Sequence, residues 1–310
     1  MTDLLQRLEA ARPTTTELDE SWTPQDREAV LTRILSREPQ SRPRRRQWLT
    51  AAAAVAGLAL ATAVVDTDQP AAAAQLRALA ARAASTGAPT IAPGSFLHVS
   101  YESTQQNSSL FGDGRESSMD RESWIRWDGT IWAVDTEQPE GWRYYQKFPR
   151  PEAPEYGVPT PEFAASLPDE PAALRAHLDE HVSGSNSHEE AIFVAITDLA
   201  RSYLLPPDTW AAALEVLADL DGVQTEDADL DGHPAVEVTY RERWGGLLGT
   251  HTLLLDRATG QVVAEENSDP GSTYRRETQL VEVVDEVPTA VLDTLQKVGN
   301  GGRVRVAPGN

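Results

Sequence analysis

Three residues pose the sharpest chemical question in this chain: His177, Glu180 and His181 read H-x-x-E-H within PAALRAHLDEH. On a helix, two imidazoles four residues apart share a face and can hold one zinc ion, with the glutamate near enough to act as base. That makes a tethered zinc hydrolase a reading to test. The spacing is cheap in an acidic helix, however, and no flanking glutamate motif stands out as a third ligand. Histidines near a helix C-terminus are also favoured by the helix dipole, so a solvated helix end is the plainer reading.

Other chemistry has weaker footing. The chain has no cysteine, which removes thiolate catalysis and Cys-ligated zinc. There is no G-x-S-x-G elbow, and the glycine clusters at 112–114, 244–250 and 299–302 match neither phosphate-binding fingerprint. The acidic pairs Glu189, Glu190 and Glu265, Glu266 read as solvated faces in a chain with 48 acidic against 27 basic residues. Trp124, Trp127 and Trp132 crowd one hairpin beside Arg121, Arg126 and Asp128. They suit an apolar groove for an acyl chain or an extended peptide, or ordinary sheet core with cross-strand aromatic pairs. No cofactor motif is present, and a binding protein rather than an enzyme is expected.

The element that must position all of this is Leu49 to Val65, LTAAAAVAGLALATAVV, preceded by Arg42, Arg44, Arg45 and Arg46. A helix of this length covers about 25 Å, enough for a single membrane span with Trp48 at the interface. The arginines keep residues 1–48 cytoplasmic and put residues 66–310 outside the cell membrane. A cleaved signal peptide, with Ala61, Thr62, Ala63 as cleavage site, and an alanine-rich soluble helix are the alternatives; the long preceding segment argues against the first. Residues before position 48 carry nine arginines against eight acidic residues. The formal charge of −21 therefore belongs almost entirely to the outer part, which argues against nucleic acid as a partner there.

Within residues 1–48, Leu4, Leu5 and Leu8, and then Val30, Leu31, Ile34 and Leu35 behind the Thr23–Pro24 start signal, predict two short amphipathic helices. Their apolar faces pack on each other or on a partner, or the segment is a loose positioning arm. Residues 66–95 read as a spacer and linking helix. Strand patterns follow over Phe96–Glu102 and on either side of Asp128–Gly129. A proline-dense loop is expected over 149–171, then helices at 170–182, 188–203 and 207–218. Strands are expected at 223–228, 235–244, 249–256, 262–268 and 274–284, and a flexible tail at 299–310. Strands, helices, then a meander of strands define an α+β domain over 96–298: a curved, half-barrel-like antiparallel sheet with a helical layer.

The stretches PAALRAHLDEH, FVAITDLARSYLLPPDTWAAALEVLADLDGVQ, DLDGHPAVEV and LLLDRATGQVVAEE resemble a family of actinobacterial single-pass membrane proteins of uncharacterised function, commonly encoded beside extracytoplasmic-function sigma factors. The outer part resembles the half-barrels of the periplasmic lipoprotein carrier and the sigma-E regulatory protein. The resemblance implies a membrane-anchored, anti-sigma-like sensor. Residues 1–48 would engage a sigma factor, and the outer domain would bind a lipid, a peptide or an envelope protein. It assigns no catalytic residue. A structural envelope protein without signalling is the remaining alternative.

Overall fold

A computed structural model describes residues 69–86, 89, 91–107, 116–184, 186–244, 247–269, 271–297 and 303–308, with 242–244 and 247–248 described by their backbone only. The expected span at 49–65, its arginines and the inner helices lie outside these residues. Among the described residues no helix is long and apolar enough to cross a membrane.

The chain enters through α1 (Gln69–Ser85), then runs through a first meander, β1 (Phe96–Asn107), β2 (Glu116–Arg126), β3 (Ile131–Gln138) and β4 (Trp142–Phe148). A helical insert follows: α2 (Pro161–Ser166), α3 (Pro171–His181), α4 (His188–Ala200) and α5 (Pro207–Asp219). A second meander comprises β5 (Val223–Leu230), β6 (His233–Trp244), β7 (Leu247–Asp256), β8 (Val262–Ser268) and β9 (Ser272–Val284). The chain closes with α6 (Thr289–Gln296) and β10 (Arg303–Val306). All ten strands form one open antiparallel sheet in the order β10-β4-β3-β2-β1-β9-β8-β7-β6-β5. The architecture is α+β, as the pattern of elements requires.

Local chemistry sets the helix starts. Pro161, Pro171 and Pro207 open α2, α3 and α5, where a missing N–H costs nothing. Thr160 caps α2 by accepting from the Phe163 N–H, and Ser187 caps α4 by accepting from Glu190 N–H. The β5–β6 turn is Asp231–Gly232, both at positive φ, the pairing a tight hairpin wants.

Strand register assigns the two faces of the sheet. Val236, Val238, Leu253, Leu255 and Val262 point toward α1–α5 and share one core with Leu76, Leu79, Leu178, Ile192, Phe193 and Leu214. On the same face of the first meander, Leu97, Val99 and Ile125 lie under Tyr203 and Leu204. The opposite face carries Trp124, Trp132 and Tyr145, covered by Val287, Val291 and Leu295 around α6.

Four expectations are corrected. The helix expected as a linker is α1, whose Leu76, Leu79 and Ala83 are fully buried against α5 and the sheet, so the folded domain begins before residue 96. The proline-dense loop contains α2. The sequence reading placed no element at β4 or α6. The tail expected to be flexible supplies β10, which pairs with β4 and sends Val304 and Val306 into the core under α6.

One contact fixes α1 in place. Gly260, at φ +71° in the β7–β8 turn, approaches so closely that an added Cβ would stand 2.8 Å from the Leu79 carbonyl oxygen. The Gly260 carbonyl in turn accepts from the Trp210 indole at 2.9 Å. Gly260→Ala is expected to destabilise the protein by about 2 kcal/mol or more in urea unfolding, combining backbone strain with a backbone clash. Gly94→Ala, at φ +95° with open space around it, should cost only about 1 kcal/mol; equal losses would show that α1 does not bear on the turn.

Candidate functional site

The H-x-x-E-H residues lie at the C-terminal end of α3. His177 and His181 stack with ring centroids 4.3 Å apart, and His181 Nδ1 donates to the His177 carbonyl at 2.8 Å. Burial and the neighbouring His181 lower the His177 pKa. Glu180 is exposed, and among the described residues no group of three metal-ligating side chains converges.

The tryptophans are split. Trp124 stacks flat on His98 at 4.9 Å, and Trp132 takes Phe96 edge-on, with Arg126 and Lys147 over its ring. Both are buried beneath α6, while Trp127 stands 47% exposed on the hairpin.

The acidic pairs depart furthest from expectation. Glu190 and Glu265 are 4% and 2% exposed, so neither pair is a solvated face. Glu190 has partners: it accepts from the Asn186 N–H at 2.7 Å and meets His251 Nε2 at 3.2 Å. Glu265 is different, because neither carboxylate oxygen has a hydrogen-bond partner and the nearest cation, Arg201, stands 3.9 Å away.

Glu265 belongs to a buried cluster on the helix-covered face. It pairs across the ladder with Arg276 of β9. The Arg276 guanidinium lies 3.8 Å from the centre of the Tyr101 ring and 6.0 Å from that of Tyr203, and donates to the Arg201 carbonyl at 3.2 Å. Its Nε is buried without a partner. Arg201 also holds Asp198 at 2.7 Å. Burial pushes the Glu265 and Asp198 pKa values up, against the lowering effect of nearby arginines, and pushes Tyr274 up to about 12. By contrast Arg121 and Asp135, on the same face, form a two-point ion pair completed by Gln146. That pair is satisfied, and needs nothing further.

Beside the cluster the sheet opens. Gln279 is an extra residue in β9 against β1, and Val263 is an extra residue in β8 against β7. These two irregularities sit on neighbouring strands, and β8–β9 pairing begins only at Ala264 and Glu277. Bulges of this kind bend strands and end pairing, commonly next to functional sites. The gap is a cleft of about 280 Å³ walled by Val262, Val263, Leu280 and Val281 from the strands, by Ala200 and Trp210 from the helices, and by Leu205 from the α4–α5 connection. Tyr203 forms its inner wall, at φ +57°, a conformation uncommon for a bulky residue. Its hydroxyl bonds Thr278 Oγ1 and the Val262 carbonyl, and its ring lies 6.0 Å from the Arg276 guanidinium, so Tyr203 borders both the cleft and the buried charges.

This site was not recognised from sequence. Its only traces there are adjacent apolar residues, Val262–Val263 and Leu280–Val281, which break the alternation of β8 and β9.

No family model and no curated protein matches this chain. Among solved structures it is similar to the lipoprotein LppX of Mycobacterium tuberculosis, with 12% identity, 71% of this chain and 98% of that chain covered, and a TM-score of 0.30. It is likewise similar to a LolA superfamily protein from Nitrosomonas europaea, with 8% identity, coverage of 71% and 99%, and a TM-score of 0.23. LprF from Mycobacterium bovis shows 12% identity, coverage of 68% and 93%, and a TM-score of 0.28.

A carboxyl with a raised folded-state pKa binds its proton more tightly in the native than in the unfolded chain. Its contribution is therefore fully present below the unfolded value and is lost as pH rises through the folded value. Glu265→Gln should make the fall in stability from pH 5 to pH 8 shallower, and should stabilise the protein at pH 8 by about 1–3 kcal/mol relative to the parent. An unchanged slope in paired thermal melts would show that Glu265 is already ionised and satisfied.

Proposed function

We propose that the folded domain, residues 69–308, is a binding domain rather than an enzyme, and that it takes an apolar chain into the cleft between β8 and β9. The observation that carries this is the local opening of the sheet. Two bulges leave strand edges apart, and the space between them is lined mainly by aliphatic side chains and Trp210, with Gln261, Thr278 and Gln279 also on its wall. Its volume falls just below the range of small-molecule sites, about 300–1,000 Å³, which suits one alkyl chain or one apolar side chain.

The rest of the proposal concerns placement. Residues 49–65 hold this domain outside the cell membrane as a single span, with Arg42, Arg44, Arg45 and Arg46 setting the direction. Residues 1–48 engage a sigma factor, so that occupancy outside is reported inside. The span's length and flanks support the first statement, and the family resemblance of the sequence supports the second.

Binding of the neutral fluorescent probe 1-N-phenylnaphthylamine to the full-length chain tests the cleft. Val263→Trp, at a half-buried bulge position, should weaken probe binding at least tenfold with an unchanged far-ultraviolet spectrum. Equal binding by both proteins would remove the cleft from the account. In the same preparations, the full-length chain should retain a sigma factor that a chain lacking residues 1–48 does not; retention by both would refute the inner contact.

A further inference from the structure

The cleft accounts for an apolar chain but leaves the charges behind Tyr203 unexplained. Glu265 is 2% exposed with both carboxylate oxygens unpartnered, and Arg276 is 8% exposed with its Nε unpartnered. Buried polar atoms almost always find partners, and each exception calls for a cause. Here the exceptions adjoin one another across the β8–β9 ladder and adjoin the cleft. Thr278, which lines it, lies two residues along β9 from Arg276, and Glu265 lies two beyond Val263 on β8.

We propose that this cluster receives the anionic head of an amphiphile whose tail occupies the cleft, with Arg276 and Arg201 as the cationic partners and Glu265 in its protonated form as a donor. This rests on the reading of the cleft given above. The free donor favours an anion over a cation or a neutral group. Of the two guanidinium groups, Arg201 holds Asp198 at 2.7 Å, while Arg276 keeps a buried Nε with no partner; burial raises the pKa of the neighbouring Glu265. Arg276 has the unused Nε and, through its stack on Tyr101, a fixed plane from which to offer it. A planar carboxylate or a phosphate oxygen matches that geometry. Tyr203 borders both the cleft and Arg276, and in the bound state its hydroxyl would exchange Thr278 for the head group.

Binding would then be linked to protons. The groups facing Glu265 are Arg276 and Tyr274 from β9, Tyr101 from β1, and Asp198, Arg201 and Tyr203 from the helical layer; His251 and Glu155 face Asp198 in turn. An incoming anion favours a protonated Glu265, so affinity for the anion falls as Glu265 ionises.

Displacement of 1-N-phenylnaphthylamine from the full-length chain by decanoate and by decanol separates the possibilities. Decanoate should displace roughly tenfold more effectively than decanol at pH 6, as charge-assisted hydrogen bonds to a buried guanidinium predict. That preference should shrink as pH is raised, disappear in Arg276→Gln, and hold over the same pH range in Glu265→Gln, with decanol displacement the same in all three proteins. Decanol as effective as decanoate, or a preference untouched by Arg276→Gln, overturns the head-group site and leaves the cleft standing. Loss of decanol displacement in Arg276→Gln would mark a collapsed cleft, and Arg276→Lys, which keeps charge without the fork, then decides. Partial recovery of the decanoate preference supports the site, and none refutes it. If neither compound displaces the probe, the cleft itself is refuted.

Discussion

The pairing of β1 with β9 joins two meanders that the whole helical insert separates in sequence, and every layer of the domain depends on it. Across this junction Phe96 pairs with Val284, and His98 bonds Glu282, 184 positions along the chain. Closing such a loop costs conformational entropy before any contact returns it. The junction recovers this by a twelve-residue ladder and by placing Leu97 and Val99 under Tyr203 and Leu204. The helical insert is thereby held against both halves of the sheet.

The same junction generates the site. An uninterrupted β9 would pair along its full length on both sides and leave no gap. The extra residue Gln279 on one side and Val263 on the neighbouring strand let β9 follow β1 while β8 follows β7. The cleft is the space between these two allegiances. Tyr203 closes it from the helical layer at the cost of a left-handed backbone, strain of order 1–3 kcal/mol that the packing around it must offset. The buried charges lie just beyond, where the ladder resumes at Glu265 and Arg276.

Much of the fold was legible because its signals are local. Prolines at the first helical position and the Asp231–Gly232 and Asp128–Gly129 turns act within a few residues, and the helices and second-meander strands stand close to where those signals put them. What escaped depends on distant partners. In β4, WRYYQKF shows no apolar alternation, because its other face holds Tyr144 and Gln146 in polar contacts. In β10, RVRV is too short to read as a strand until α6 covers its valines, and α6 itself carried legible spacing at Val291 and Leu295. The site was least legible of all. A bulge is a difference between two strands, and no stretch of one strand announces it. The burial of Glu265 likewise comes from elements far along the chain, so an acidic pair that reads as solvent-facing holds a buried carboxyl with neither oxygen partnered.

The central claim is that the space between β8 and β9 is built to be occupied. Native mass spectrometry of the purified full-length chain, before and after extraction with organic solvent, tests it most directly. The account predicts a discrete adduct of an anionic amphiphile that extraction removes and that Val263→Trp lacks. The bare polypeptide mass in every sample, with no adduct regained on adding decanoate, would contradict it.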